Sequence, residues 1–137
     1  KNNYVFLAPH IGDLKNVQIL ESYEQQIALY QRLFDIKPER IVCDMHPDYL
    51  STAYASERAE EENIPLLQVQ HHHAHMVACM ADNGLSDPCI GLVWDGTGLG
   101  TDGTVWGGEI LLSRTDGFER LAHIDDFPQA GGDASSN

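Results

Sequence analysis

Four histidines occupy five positions in "LLQVQHHHAHMVACM" (66–80). If a helix begins at this point, His71 and His75 stand at i and i+4 on one face. Two imidazole nitrogens on one face can share a metal ion, while His72 and His73 point elsewhere, towards substrate or solvent. A zincin motif needs Glu after the first histidine, and His72 stands there instead, which disfavours a metalloprotease. Solvated histidines at a helix start are the bland alternative. A purification tag is disfavoured because the run is internal and follows a strand. Two histidines leave a catalytic metal one ligand short, so an acid must arrive from elsewhere.

"VWDGTGLGTDGTVWGGE" (93–109) offers that acid. Asp95 is expected to end an apolar strand and open a turn formed by Gly96, Thr97 and Gly98. Such a turn lets backbone N–H groups approach phosphate closely, with the threonine hydroxyl as a further donor. The spacing matches neither a Walker loop nor a dinucleotide fingerprint. The plain alternative is a β-hairpin whose glycines only serve the turn, and "TDG" (101–103) reads that way. In "DMHPDYLST" (44–52), Asp44 and His46 leave the end of a strand, the edge where open α/β sheets gather ligands. His46 is therefore a candidate catalytic group, with solvent contact as its alternative. Asp48 has the option of capping the next helix. Asp13, Asp116 and His123 read as loop, turn and strand surface.

The elements that must position these groups follow from periodicity. "NYVFLAP" (3–9) reads as a strand stopped by Pro9. Leu20, Tyr23, Ile27, Tyr30 and Phe34 recur at three and four residues, which predicts a helix over about 17–34. "RIVCDMHP" (40–47) reads as a short buried strand and 48–63 as a helix whose "EEE" is a solvated face. "IPLLQVQ" is the next strand, and the histidine run opens a helix that stops at Gly84. Buried strands alternating with helices predict a parallel α/β arrangement. "CIGLVWDGTG", "TVWGGEILLSR" and "FERLAHID" then form a three-stranded meander. Helical crossovers followed by a fresh meander are similar to a junction between two ribonuclease H-like repeats. The expected division is 1–84 for the end of the first and 85–137 for the start of the second, within a longer protein.

Composition bounds the function. The 137 residues carry 21 acidic against 8 basic groups, a formal charge of −13. Such a chain is repelled by phosphate backbones, so no nucleic-acid partner is expected. An anionic substrate would need backbone amides, helix N-termini or a metal to offset that charge. No apolar run approaches membrane-spanning length and no signal-peptide pattern opens the chain, which makes a cytoplasmic protein the expectation. Cys43, Cys79 and Cys89 lack CxxC spacing and read as small core residues.

Taken in order, "APHIGDL", "DMHPDYLST", "VQHHHAH", "DGTGLGTDGTVWGGE" and "FPQAGGD" cover nearly the whole chain. Together they resemble the carbamoyltransferase domain of the HypF family of hydrogenase maturation proteins. That resemblance implies an actin-like ATPase fold of two ribonuclease H-like lobes, of which this chain is a fragment. It implies a divalent metal (zinc or iron, with magnesium a third option) held by His71, His75 and Asp95, with one further acidic ligand lying in a later segment. It implies nucleotide phosphates against Gly96, Thr97 and Gly98. "GGE", with Gly107 and Gly108, and "GGD", with Gly131, Gly132 and Asp133, match family motifs and are carried as nucleotide-binding candidates. The family reaction moves a carbamoyl group from carbamoyl-adenylate, made from carbamoyl phosphate and ATP, to the C-terminal cysteine of HypE, towards the cyanide ligand of nickel–iron hydrogenase. The nucleophilic sulfur then belongs to the partner. An isolated fragment is expected to bind metal weakly and not to turn over. Rival readings are a tRNA threonylcarbamoyl-transferase relative, disfavoured because those carry an acidic residue inside the HxxxH motif, an antibiotic O-carbamoyltransferase, and a non-enzymatic metal-binding or docking fragment.

Overall fold

The computed structural model describes residues 4–14 and 17–125 and gathers them into two compact units, divided between Gln68 and Val69. The element order is α1 (Val17–Leu33), β1 (Ile41–Asp44), α2 (Leu50–Glu62), β2 (Leu66–Val69), α3 (His71–Asp82), β3 (Cys89–Leu99), β4 (Val105–Arg114) and β5 (Gly117–His123). The helices and the meander lie where the hydrophobic periods place them.

In the first unit, the predicted stripe of α1 is real. Leu20, Tyr23, Ile27 and Tyr30 are half-buried, and Tyr23 meets Tyr54 of α2 edge-on at 5.4 Å. The paired strands β1 and β2 flank α2 in sequence. Helix α2 turns the small residues Thr52, Ala55 and Ala59 inward, and the Thr52 hydroxyl donates to the Asp44 carbonyl at 3.3 Å. Asn63 takes a left-handed conformation (φ 51°) and stops the helix, a role its short polar side chain tolerates.

Three expectations fail in this unit. Tyr4 to Pro9 form no strand: a strand needs a ladder partner, none of the described strands pairs with the segment, and Val5 and Leu7 are exposed. Phe6 instead stacks on Phe34, centroids 3.9 Å apart. The strands β1 and β2 are not buried, since Val42 and Leu67 point to solvent. Their apolar character marks surface that nothing in the described unit covers. Asp48 does not cap α2. The N-cap is Tyr49, without a side-chain bond, and the Asp48 N–H donates to His46 Nδ1.

In the second unit, β3, β4 and β5 form an antiparallel meander in sequence order, and α3 packs on β3 and β4. The core consists of Val93, Trp106 and Leu111, with Met76 and Phe118 against them. Both ladders slip. Between β4 and β5, Ile110 faces Ala122 but Leu111 faces Arg120, so Leu121 is the extra residue. Between β3 and β4, Trp94 faces Gly108 and Gly98 faces Trp106. Asp95, Gly96 and Thr97 therefore oppose Gly107 alone. The glycine-rich stretch expected to be a turn after the strand is thus a bulge inside it, and β3 runs on to Leu99 before turning at 100–104. Glycine cannot stop a strand whose partner continues to pair beyond it. Cys79 is exposed, not core. Among the described residues no helix is long and apolar enough to cross a membrane.

Candidate metal centre

The N-terminus of α3 is set by Gln70. Its Oε1 accepts the His73 N–H at 2.9 Å as a helix cap, and its Nε2 reaches the Leu99 carbonyl (3.3 Å) and His72 Nδ1 (3.1 Å). One buried amide thus ties the start of α3 to the strand beyond the bulge. The rotation of α3 about its axis follows. His72 and His73 turn into the core, 0% and 8% exposed, where His72 approaches Trp106 and His73 approaches Phe118. Neither ring is therefore free to meet substrate or solvent, contrary to the expectation from their place beside the pair. The helix lies on the sheet through its 72–73–76–80 side, and that side carries two histidines. Burial pushes both imidazoles below the ordinary histidine pKa, which favours their neutral forms.

His71 and His75 are left on the rim, at the end of the helix nearest the bulge. Asp95 Oδ2 stands 2.7 Å from His71 Nε2 and 3.3 Å from His75 Nε2, and the two Nε2 atoms are 3.2 Å apart. Burial alone would raise the Asp95 carboxyl. The Gly96 N–H, donated to Oδ1 at 2.7 Å, and the two imidazoles outweigh it and hold the group below its usual range. Three donor atoms converge on one point, the only such group of three among the described residues. Ligands around a tetrahedral or octahedral ion with bonds of about 2.1 Å sit roughly 3.0–3.4 Å from one another. The observed 2.7, 3.3 and 3.2 Å fit that spacing with small relaxation. Two imidazole nitrogens with one carboxylate suit zinc or iron better than magnesium, which prefers oxygen donors.

The glycines of the bulge divide into two kinds. Gly96 and Thr97 are exposed, although the Gly96 N–H is already held by Asp95. Gly98 is buried under α3: a Cβ there would fall 2.7 Å from His72 Cε1 and 2.9 Å from His71 Cβ. Gly108 is similarly closed by Ile124 and Trp94, and the Gly107 N–H is held by Glu109. Among the expected phosphate contacts, Gly96 and Thr97 are the ones whose surface is open. Gly131, Gly132 and Asp133 lie outside the described residues.

His46 belongs to the first unit. Its N–H donates to Asp44 Oδ1 at 2.8 Å, its Nδ1 accepts from Asp48, and its ring stacks on Tyr49 with centroids 4.3 Å apart. This is a tight turn at the end of β1 with an ordered imidazole. Sequence reasoning missed Gln70, which ties α3 to the strand beyond the bulge, and Arg120, which pairs with Glu109; Glu109 itself was seen only as the last residue of "GGE". Gln is not a favoured cap residue, so only the place of Gln70 beside the histidine run hinted at it.

Comparison with known proteins places this arrangement in a family. The model described as "HypF Kae1-like domain" matches residues 1–82, and "Carbamoyltransferase, Kae1-like Domain, second subdomain" matches residues 91–137. "Carbamoyltransferase HypF2" of Cupriavidus necator is 41% identical over 99% of this chain and 17% of its own length. "Carbamoyltransferase HypF" of a Synechocystis species is 41% identical over 96% of this chain and 17% of its own length. The chain thus spans about a sixth of the length of these relatives. The crystal structure of T. kodakarensis HypF superposes with a TM-score of 0.84 at 45% identity, over 92% of this chain and 17% of that one. A full-length HypF in a phosphate- and nucleotide-bound form gives 0.79 at 48%, over 85% and 15%. This mixed α/β chain, with its paired histidines and bulge aspartate, belongs to the HypF family, whose Kae1-like carbamoyltransferase domain it matches across both subdomains.

Proposed function

We propose that this chain is the metal- and nucleotide-binding portion of a HypF-type carbamoyltransferase. The parent would be an actin-like enzyme of two ribonuclease H-like lobes, with the repeats dividing near residues 84–85 and the protein working in the cytoplasm. The gap between the two family matches, after residue 82 and before residue 91, is consistent with that division. The observation that carries the reading is the convergence of His71 Nε2, His75 Nε2 and Asp95 Oδ2.

A bound divalent cation would supply positive charge to a carbamoyl or phosphate oxygen as negative charge develops there. The chain's own part is positional. Asp95 orients both imidazoles through one oxygen and holds the Gly96 N–H with the other, so helix and bulge are braced against each other at the centre of the site. Gly96 and Thr97 offer a low, exposed surface without bulky side chains against which nucleotide phosphates can lie. A related full-length HypF is described as phosphate- and nucleotide-bound, which supports a nucleotide substrate for the parent protein. The substrates would be carbamoyl phosphate and ATP through carbamoyl-adenylate, and the acceptor the C-terminal cysteine of HypE. His46, ordered by Asp44 and Asp48, is the candidate for handling a proton during transfer.

Calorimetric titration with zinc tests the reading. His71→Ala, His75→Ala and Asp95→Asn should each abolish zinc uptake, whereas His123→Ala, on exposed strand surface, should retain it. Equal loss at His123 would refute a defined site. His72→Ala is unsuited as a control because that ring is buried in the core.

A further inference from the structure

Glu109 is a buried carboxylate for which the proposed reaction has no use: its side chain is 2% exposed and lies on the face of the sheet that α3 covers. Its bonds are asymmetric. Oε2 accepts Arg120 Nε at 2.6 Å, while Oε1 accepts Arg120 Nη2 at 3.1 Å and the Gly107 N–H at 3.2 Å. Arg120 is itself fixed, its guanidinium 4.1 Å above the Trp106 ring and its Nη1 on Asp102 Oδ2. The slip at Leu121 puts Arg120 there. Continued from the Ile110–Ala122 pair without a slip, the ladder would set Arg120 against Leu112 on the outer face. With the slip it faces Leu111 on the inner face, beside Glu109.

Gly107 is the single residue that opposes Asp95, Gly96 and Thr97. A bulge of three residues against one has no ladder bonds of its own to define its shape, so the position of the lone opposing residue defines it. A Cβ on Gly107 would lie 3.4 Å from the Asp95 carbonyl and 3.5 Å from that of Gly96, so the two sides of the bulge are in contact. We infer that Glu109, clamped by Arg120, is a positioning residue: by holding the Gly107 N–H it fixes the bulge that aims Asp95 at His71 and His75. This rests on the metal reading above and adds to it the device that sets the carboxylate's direction. Removing groups that orient a metal ligand costs about 10- to 100-fold in affinity.

The test uses zinc titration and amide NMR on the whole chain with Glu109→Ala, Glu109→Gln, Arg120→Met and, as a core control, Phe118→Leu. Glu109→Ala should weaken zinc about 10- to 100-fold, with Glu109→Gln, which keeps an acceptor for Gly107, between it and wild type. Arg120→Met separates positioning from charge. Deleting a cation should tighten zinc if only the field mattered, and should weaken it if the clamp orients Asp95. Phe118→Leu should leave zinc affinity unchanged despite lower stability. Wild-type affinity in Glu109→Ala, tighter binding in Arg120→Met, or loss in Phe118→Leu in step with its stability would each overturn the inference. If wild type takes up no zinc, the metal reading falls. The positioning is then decided by the metal-free chain, in which Glu109→Ala must move the Gly96 amide resonance as well as that of Gly107. An unmoved Gly96 amide overturns it.

Discussion

Gly98 and His72 are in contact across the α3–β3 interface so closely that a Cβ on the glycine would fall 2.7 Å from the ring carbon Cε1. His72 cannot retreat. It is fully buried, its Nδ1 is bonded to Gln70, and Trp106 lies beyond it. Gly98→Ala is therefore expected to cost about 1–3 kcal/mol, typical of overpacking a closed core. It should also displace His71, whose Cβ is the next atom met. Urea unfolding and zinc titration check both effects, and an unchanged unfolding midpoint would contradict the packing described.

Gly91 makes an instructive contrast. A Cβ there would collide with the end of the Met76 side chain, which is flexible and only half-buried. Met76 can swing aside, so Gly91→Ala should stay within about 1 kcal/mol of wild type, and below Gly98→Ala in cost. The comparison of the two urea midpoints decides it.

Gln70→Ala removes a helix cap, the link to the Leu99 carbonyl and the partner of a buried imidazole nitrogen. The expected loss is about 1–3 kcal/mol. Hydrogen exchange should quicken at the His73 amide first, because that donor loses its acceptor outright. Protection retained at His73 would show that the cap does not act as described.

Asp102 governs an acid-side response. The Thr104 N–H and hydroxyl, with help from the Trp106 indole, hold its carboxyl down at about 2 against 3.8 for a free aspartate. With the folded value depressed, the unfolded chain binds the proton first as pH falls. The stability from the charged form is present above 3.8 and is lost as pH falls through about 2. Asp102→Asn keeps the oxygen acceptor and removes the titration. The stability difference between wild type and this variant should be constant above about pH 4 and shrink towards pH 2. A difference that stayed flat across that range would rule the assignment out.

The shared face of His71 and His75 was legible because helical spacing is arithmetic: residues at i and i+4 share a face wherever the helix is placed. Asp95 was legible only as a candidate acid at the expected end of a strand, singled out by the order of the motifs. The orientation of that helix was not legible. His72 and His73 are polar, and only the packing of α3 on Val93, Trp106 and Leu111 makes theirs the inner side. Likewise, the apolar run at Tyr4–Leu7 has strand composition, but strand formation depends on a partner that composition cannot supply. The glycines at 96 and 98 look alike in sequence. One is open surface and the other the floor beneath a histidine, a difference created by the bulge.

That bulge also exchanges the alternation of β3. Before it, the odd-numbered Gly91 and Val93 are buried; after it, the even-numbered Gly98 and Gly100 are. Residues 95–97 are thus locked in length. Although Gly96 and Thr97 look like a tolerant surface loop, inserting or deleting one residue there would send the far half of the strand to the wrong side of the sheet. Substitution in this stretch is a local matter, whereas a change in its length is a change of fold.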